Sequence, residues 1–204
     1  MTLESFFYAY LWGMVILGVG IFITLQFITP AYGMTYNNRW GASISSRWGW
    51  LIMETPVFVI MLIIYLNSLL TGVKPFNIVT FIFLLIFQTH YLQRSFIFPA
   101  LMKGQSRMPL SIMFAGIFFN ASNAFIQGGW LFMFAPANAY PISWFWSPQF
   151  IIGCVLFFIG MVINIKSDRI IRKLRKSRDD NNYYLPQGFL FKYINSSNYF
   201  GEII

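Results

Sequence analysis

Two residues inside long apolar runs, Glu54 and Tyr91, have side chains suited to proton chemistry. Glu54 is the only acid in the five long apolar runs of the chain, and an ionised group inside a membrane helix costs about 2.5–3.5 kcal/mol. Gln88, Tyr91 and Arg94 recur at every third residue, so they share roughly one helical face. A carboxylate that orients a tyrosine donor is general acid chemistry. The structural alternative is a paired Glu54 between helices, with Tyr91 and Arg94 as belt residues at the membrane surface.

Two further stripes of polar residues follow the helical period. The first predicts interhelical hydrogen bonds, because amides commonly join helices inside membranes. The second places cations beside an amide and an acid and suits a polyphosphate ligand, although an ion pair between Asp168 and Arg172 would account for part of it. The first stripe is Asn120, Asn123 and Gln127, and the second is Asn164, Asp168, Arg172 and Arg175.

The composition excludes an ordinary soluble domain. Of 204 residues, 57% are hydrophobic, 21% aromatic and only 10% charged, which is typical of a membrane protein. The net charge of +8 is expected to set membrane orientation, and nucleic acid is not an expected partner. One cysteine and one histidine are too few for an intrachain disulfide or a metal cluster. The sequence contains neither GxGxxG nor a P-loop motif, so any nucleotide must be held without a Rossmann domain.

Five apolar stretches are long enough to cross a hydrocarbon core about 30 Å thick as helices. They are residues 5–28, 48–70, 78–100, 109–134 and 148–165, and a sixth candidate begins near Gly188. Ser147 followed by Pro148 predicts the start of the fifth helix. We therefore expect residues 1–204 to form one integral membrane domain, an all-α polytopic bundle of transmembrane helices.

The charges between the spans predict the orientation of the bundle. Cations follow the first, third and fifth spans, whereas the opposite side carries Lys74 alone. Cytoplasmic loops are enriched in lysine and arginine, so we expect an outward N-terminus and three cytoplasmic basic loops. The fifth helix is expected to extend beyond the bilayer. The cations are Arg39, Arg47, Lys103, Arg107 and the seven from Lys166 to Arg178.

Short motifs recur in a fixed order along most of the chain. They are ETP at 54–56, HYLQR at 90–94, NAFIQG at 123–128, GMVINIKSD at 160–168, RKLRK at 172–176, YYLPQG at 183–188 and NYFGEII at 198–204. In this order they resemble the steroid 5α-reductase family, from about Trp50 to the last residue. The family is similar in using NADPH without a Rossmann domain, and its pattern suggests seven transmembrane helices. It continues past the position of Ile204, so we expect this chain to lack the family's C-terminal helix.

The resemblance implies roles for individual residues. Tyr91 is expected to donate a hydrogen bond to the substrate ketone with support from Glu54, and Trp50 and Gln127 are expected to join both in contacting the substrate. No metal is implied. The residues expected to hold NADPH are Arg94, Asn164, Asp168, Arg172, Arg175, Tyr183 and Asn198, and Glu202 belongs to the same polar cluster in the family.

The activity implied is NADPH-dependent reduction of the C4–C5 double bond of a 3-oxo-Δ4 steroid to the 5α product. The steroid would enter from the membrane lipid. The protein is expected in a bacterial inner membrane or the endoplasmic reticulum membrane, with its cofactor side facing the cytoplasm. A trans-2-enoyl-CoA, polyprenol or sterol-alkene reductase of the same superfamily is the alternative. A membrane methyltransferase or a small transporter also stays open, as does the oligomeric state.

Overall fold

The computed structural model describes residues 2–177, 180 and 182–204, and these residues are mostly helical. Arg178, one of the predicted cytoplasmic cations, lies outside them. The α-helices are α1 (Leu3–Thr24), α2 (Ser46–Leu70), α3 (Ile78–Leu92), α4 (Phe98–Leu101), α5 (Leu110–Gly129), α6 (Pro148–Leu174) and α7 (Ser197–Ile203). Turns of π-helix occupy Gln93–Ile97 and Trp130–Phe134, and short 3₁₀ helices occupy Gly33–Thr35, Asn38–Trp40, Ile142–Trp146 and Phe189–Lys192. Two short strands are β1 (Ser43–Ser45) and β2 (Arg107–Pro109).

Four of the described helices are long and apolar enough to cross a membrane. They are Leu3–Thr24, Ser46–Leu70, Leu110–Phe134 and Pro148–Leu174. The chain is therefore a polytopic helical membrane protein, as predicted. The third predicted span, 78–100, is also helical, but a π turn divides it between α3 and α4. The region after Gly188 contains a single 3₁₀ turn and the short α7.

Polar side chains cap the helices at the turns that the sequence indicates. The Ser147 hydroxyl accepts a hydrogen bond from the Phe150 amide at 3.2 Å, as predicted for an N-cap followed by a first-turn proline. The Asn77 side chain accepts from two backbone amides in the first turn of α3. After α2, Gly72 has a φ of +69°, a conformation that glycine adopts without steric cost.

Helices α2 and α5 form the centre of the bundle. Val57 and Met61 of α2 are fully buried, as is Ala124 of α5. A methyl group at Gly128 would lie 2.9 Å from the Met61 sulfur, so the glycine allows the two helices to approach closely. Asn120 donates from Nδ2 to the Met53 carbonyl at 2.9 Å, which is the kind of interhelical bond predicted for the first amide stripe.

Helix α1 lies at the edge of this bundle. Phe7 is its buried residue, and its ring centroid lies 5.8 Å from that of Phe125 and 4.6 Å from that of Phe134. The Tyr10 hydroxyl is 2.6 Å from the Ser122 hydroxyl of α5. The other side chains of α1 are partly or fully exposed, as expected for a helix that faces lipid.

The three basic loops meet at one end of the bundle. Strands β1 and β2 pair antiparallel, with Ile44 opposite Met108, and join the loops that follow the first and third predicted spans. Lys103 Nζ donates to the Arg175 carbonyl at 3.0 Å, which adds the end of α6. The shared side agrees with the charge pattern, and its cytoplasmic location stays a prediction.

Helix α7 packs against α6 through two glycines. A methyl group at Gly160 would meet the Gly201 carbonyl oxygen, and one at Gly201 would meet the Gly160 carbonyl oxygen. Small residues at such a crossing let two backbones touch. The crossing brings Asn198 and Glu202 into hydrogen-bonding contact with Asn164.

Candidate functional site

A large cavity lies between α3, α5, α6 and α7. Its volume is about 610 Å³, within the range of small-molecule binding sites. Rings such as Phe83 and Phe157 and aliphatic side chains make up much of the wall. A wall of this kind suits an apolar ligand with few polar atoms. The polar side chains in it are His90, Tyr91, Asn123, Gln127, Asn164 and Glu202.

The Tyr91 hydroxyl is fixed from the opposite helix. Asn123 of α5 donates from Nδ2 to Tyr91 Oη at 2.7 Å. The Tyr91 ring centroid lies 4.6 Å from that of Phe87 and 4.9 Å from that of His90. Ring and oxygen are therefore both held, and the hydroxyl can present its proton in a defined direction.

Arg94 joins two acids that come from different helices. Its Nη1 is 3.1 Å from Glu202 Oε1 of α7, and its Nε is 3.8 Å from Glu54 Oε1 of α2. Arg94 and Glu54 are only 8% and 7% exposed, so salt screens this charge network little. Asn164 Nδ2 donates to the same Glu202 oxygen at 2.8 Å. Arg94 lies in the π turn, a feature often found at functional sites.

Aromatic rings cover the guanidinium of Arg94. Its Cζ lies 4.3 Å from the Trp50 ring centroid and 5.0 Å from that of Phe98, within the range of cation–π contacts. Trp50 Nε1 donates to the Tyr32 hydroxyl, which ties the loop after α1 to the network. Burial raises the pKa of Tyr32 above its ordinary value, so this hydroxyl stays protonated.

A smaller, basic cavity lies at the loop end of the bundle. Its volume is about 190 Å³. Cations beside a carboxylate and aromatic rings are the groups that bind phosphates and planar heterocycles. The Arg175 guanidinium lies 5.7 Å from the Tyr183 ring centroid. The polar residues that line the basic cavity include Tyr32, Lys103, Asp168, Arg172, Arg175, Tyr183 and Asn198.

Two buried polar atoms of this basic cavity have no hydrogen-bond partner among the described residues. They are Asp168 Oδ2 and Arg172 Nη1, and Asp168 is only 5% exposed. An unpaired buried polar group costs about 1–3 kcal/mol, so a ligand with donors and acceptors would stabilise this region. The ion pairs found among the described residues join Arg94 to Glu54 and to Glu202, and the alternative pairing of Asp168 with Arg172 is not among them. Both side chains line the cavity.

Reciprocal bonds hold the basic cavity's loop against the end of α6. Arg175 Nη1 donates to the Lys103 carbonyl, opposite the bond from Lys103 to the Arg175 carbonyl. Gly104 has a φ of +90°, and a methyl group there would meet the Arg175 guanidinium. Beyond α6, the Lys176 amide donates to Asp180 at 3.0 Å, and this bond lowers the pKa of Asp180.

The structure gathers the predicted site residues into three adjoining groups. Tyr91, Gln127 and Asn164 line the large cavity. Glu54, Trp50 and Arg94 form the ion network, and all three are absent from the described lining of both cavities. The basic cavity holds the remaining predicted residues, Asp168, Arg172, Arg175, Tyr183 and Asn198.

Two residues at the site were not among the predicted site residues. Asn123 contacts the Tyr91 hydroxyl, and its signals in the sequence were the amide stripe and the NAFIQG motif that begins with it. Tyr32 contacts Trp50 and lines the basic cavity. It lies in a loop between helices, where no helical period relates it to the other residues.

The fold and its site define a multi-pass helical membrane protein with a buried ion network between an apolar and a basic cavity. Residues 106–204 match the family model described as 3-oxo-5-alpha-steroid 4-dehydrogenase. The chain is 32% identical over 188 residues to 3-oxo-5-alpha-steroid 4-dehydrogenase 1 of Bos taurus. This alignment covers 92% of this chain and 72% of that protein. The chain therefore belongs to the steroid 5-alpha-reductase family, as the motifs predicted.

Other relatives agree with this membership. The chain is 34% identical over 184 residues to 3-oxo-5-alpha-steroid 4-dehydrogenase 1 of Mus musculus, with 90% of this chain and 69% of that protein covered. It is 31% identical over 205 residues to steroid 5-alpha-reductase DET2 of Solanum lycopersicum, with 98% of this chain and 76% of that protein covered. The similarity thus extends to both animal and plant members.

Proposed function

We propose that this chain reduces the C4–C5 double bond of 3-oxo-Δ4 steroids to 5α-steroids, with NADPH as the reductant. Membership of the family and the names of its relatives support the reaction class. The observation that carries the proposal is the Tyr91 hydroxyl, held by Asn123 in the wall of an apolar cavity of about 610 Å³. A flat, apolar substrate with one ketone matches that cavity.

In this proposal Tyr91 supplies the hydrogen bond that the reaction needs. Reduction of an enone at its β-carbon builds negative charge on the carbonyl oxygen, and a positioned hydroxyl stabilises that charge. Tyr91 Oη points its proton at the ketone while Asn123 holds the oxygen. Glu54 acts through the buried network, where its pairing with Arg94 fixes a charge beside the reaction centre.

The residues of the basic cavity suit the phosphate groups of NADPH. Bound there, NADPH supplies the hydride. Arg172 and Arg175 offer guanidinium groups for phosphates, and the unpaired Asp168 Oδ2 and Arg172 Nη1 offer an acceptor and a donor. The full set proposed to hold the cofactor adds Arg94 of the ion network and Asn164 of the large cavity to Asp168, Arg172, Arg175, Tyr183 and Asn198 of the basic cavity.

The position of the two cavities supports separate routes of entry. The apolar cavity lies among the membrane-spanning helices α3, α5 and α6, so a lipophilic steroid can reach it from the bilayer. The basic cavity lies where the cationic loops meet, so a charged cofactor can reach it from the cytoplasm. The helices around Tyr91 keep water from the reacting atoms.

The test is NADPH oxidation by the purified protein in detergent, with and without progesterone, followed by identification of the product. Steroid-dependent oxidation with a 5α product is expected. NADPH binding without steroid turnover would overturn the steroid assignment and point to an enoyl or prenyl substrate. Absence of NADPH binding would overturn the reductase assignment.

A further inference from the structure

Asn123 is the residue that contacts the proposed proton donor most directly. Its Nδ2 lies 2.7 Å from Tyr91 Oη, and both residues line the large cavity. We propose that Asn123 is a positioning residue, which holds the Tyr91 oxygen so that the hydroxyl proton points into the cavity. This inference rests on the proposed role of Tyr91 in reduction.

The direction of the hydrogen bond is the core of the argument. A tyrosine oxygen donates one hydrogen bond and accepts others, and an amide N–H can only donate. Because Asn123 donates to Oη, it occupies an acceptor position and leaves the Tyr91 proton for another partner. A residue that accepted this proton would compete with a ketone for it.

The residues around Tyr91 hold its ring in place but do not fix the direction of its O–H bond. Asn123 must therefore restrict rotation of that bond. The Tyr91 ring is already packed between Phe87 and His90. Glu54, the nearby acid, is paired with Arg94. Orientation of the O–H bond therefore depends chiefly on the amide of Asn123.

The same bond would strengthen as the substrate is reduced. When the Tyr91 proton shifts toward the ketone oxygen, negative charge grows on Oη. A hydrogen bond to a charged oxygen is about twice as strong as one to a neutral oxygen. Asn123 would thus stabilise the transition state more than the resting state, which is the condition for a rate effect.

The neighbouring residue provides a matched control. Ser122 precedes Asn123 on α5, is buried, and also bonds to a tyrosine hydroxyl, that of Tyr10 at 2.6 Å. Tyr10 belongs to α1, at the edge of the bundle. Ser122→Ala therefore removes a similar bond from the same helix without touching Tyr91.

The test is a double-mutant cycle on steroid turnover and NADPH affinity with Asn123→Ala, Tyr91→Phe and the double variant. Asn123→Ala is expected to lower kcat by roughly 10- to 100-fold and to leave the NADPH dissociation constant unchanged. In the Tyr91→Phe background it is expected to have no further effect, because the oxygen it serves is gone. Ser122→Ala is expected to change kcat by the same small factor in both backgrounds.

Asn123→Asp provides a second variant that keeps the side-chain volume. Its carboxylate accepts the Tyr91 proton instead of donating, so kcat is expected to fall below that of Asn123→Ala and to recover as the pH is lowered and the acid becomes a donor. A structural role would give no such pH dependence. Equal kcat for the two variants at every pH would overturn the inference.

The outcomes separate this inference from the proposed function. If Tyr91→Phe keeps full turnover, the proposed role of Tyr91 fails, and the positioning inference fails with it. If Tyr91→Phe loses turnover but Asn123→Ala costs the same factor with and without the Tyr91 hydroxyl, only the positioning inference is overturned.

Discussion

The two cavities differ in what their walls offer a ligand. The large cavity is walled mainly by rings and aliphatic side chains and presents the Tyr91 hydroxyl. The basic cavity presents Lys103, Arg172 and Arg175, together with two buried atoms that have no hydrogen-bond partner within the described part of the chain. The first wall presents a hydroxyl donor to an apolar ligand, whereas the second presents cations and a carboxylate. Under the proposed function, orientation of the substrate and retention of the cofactor are expected to depend on different residues.

The ion network between the cavities is the part that they share. Arg94 pairs with Glu54 of α2 and Glu202 of α7, and Asn164 binds the same Glu202. Damage here should affect both cavities, whereas changes in one wall should leave the other intact. The following variants test that division.

The largest effect is expected at the apolar cavity. Tyr91→Phe should lower kcat by roughly 10² to 10⁴, the usual contribution of a positioned acid. The NADPH dissociation constant should stay the same, because the Tyr91 ring remains. Tight cofactor binding together with unchanged turnover would remove Tyr91 from the mechanism.

The shared network should be the next most sensitive part. Arg94→Met leaves Glu54 and Glu202 without their cation, and loss of one partner of a buried pair costs about 3–5 kcal/mol of stability. Thermal unfolding in detergent should show a lower midpoint, and turnover and NADPH affinity should fall together. Arg94→Lys keeps the charge but loses the planar fork of the guanidinium. Its unfolding midpoint, turnover and NADPH affinity should therefore lie between those of the unchanged protein and Arg94→Met. A stable Arg94→Met protein with one function intact would contradict the shared role.

The basic cavity should respond in affinity and not in rate. Arg175→Ala is expected to weaken NADPH binding by roughly 10- to 100-fold, the value of a hydrogen bond to a charged group, with little change in kcat at saturating cofactor. Lys173→Ala is the control, since Lys173 is an exposed cation of the same helix. Equal effects of the two variants on a cofactor titration would show that general charge, and not this cavity, attracts the nucleotide.

The smallest effect is expected at α1, whose residues line neither cavity. Tyr10→Phe removes the bond to Ser122 and should cost about 0.5–1.5 kcal/mol of stability, measured by unfolding in detergent. Turnover per folded molecule should not change. Tyr8→Phe is the control, because the Tyr8 side chain is 40% exposed. A fall in kcat with Tyr10→Phe would extend the site to α1.

The sequence predicted the elements better than their contacts. Apolar run lengths located the spans, and the Ser147 cap and the stripe of Asp168, Arg172 and Arg175 follow from local spacing. The contact of Asn123 with Tyr91 depends on how α3 and α5 are rotated about their axes, which no local period determines. Spacing along α6 likewise did not predict that Asp168 and Arg172 both line the basic cavity.

The π turn at Gln93–Ile97 shows a further limit of periodicity. Gln88, Tyr91 and Arg94 were expected to share one face of a regular helix. The turn begins at Gln93, so Gln88 and Tyr91 precede it in the regular α3 and Arg94 is the one of the three that lies within it. Gln88 donates to the Phe58 carbonyl of α2, Tyr91 contacts α5, and Arg94 joins α2 to α7. Nothing in the local sequence distinguishes this turn from a regular one.

The most direct test of the central claim compares turnover of progesterone with that of its analogue lacking the 3-oxo group, under saturating NADPH. The 3-oxo group both activates C5 toward hydride addition and is the group on which Tyr91 is proposed to act, so progesterone should be reduced at C5 while the analogue is reduced at least roughly 100-fold more slowly. Cofactor affinity should be equal in both assays. Reduction of both steroids at similar rates would contradict the account, as would failure to reduce progesterone.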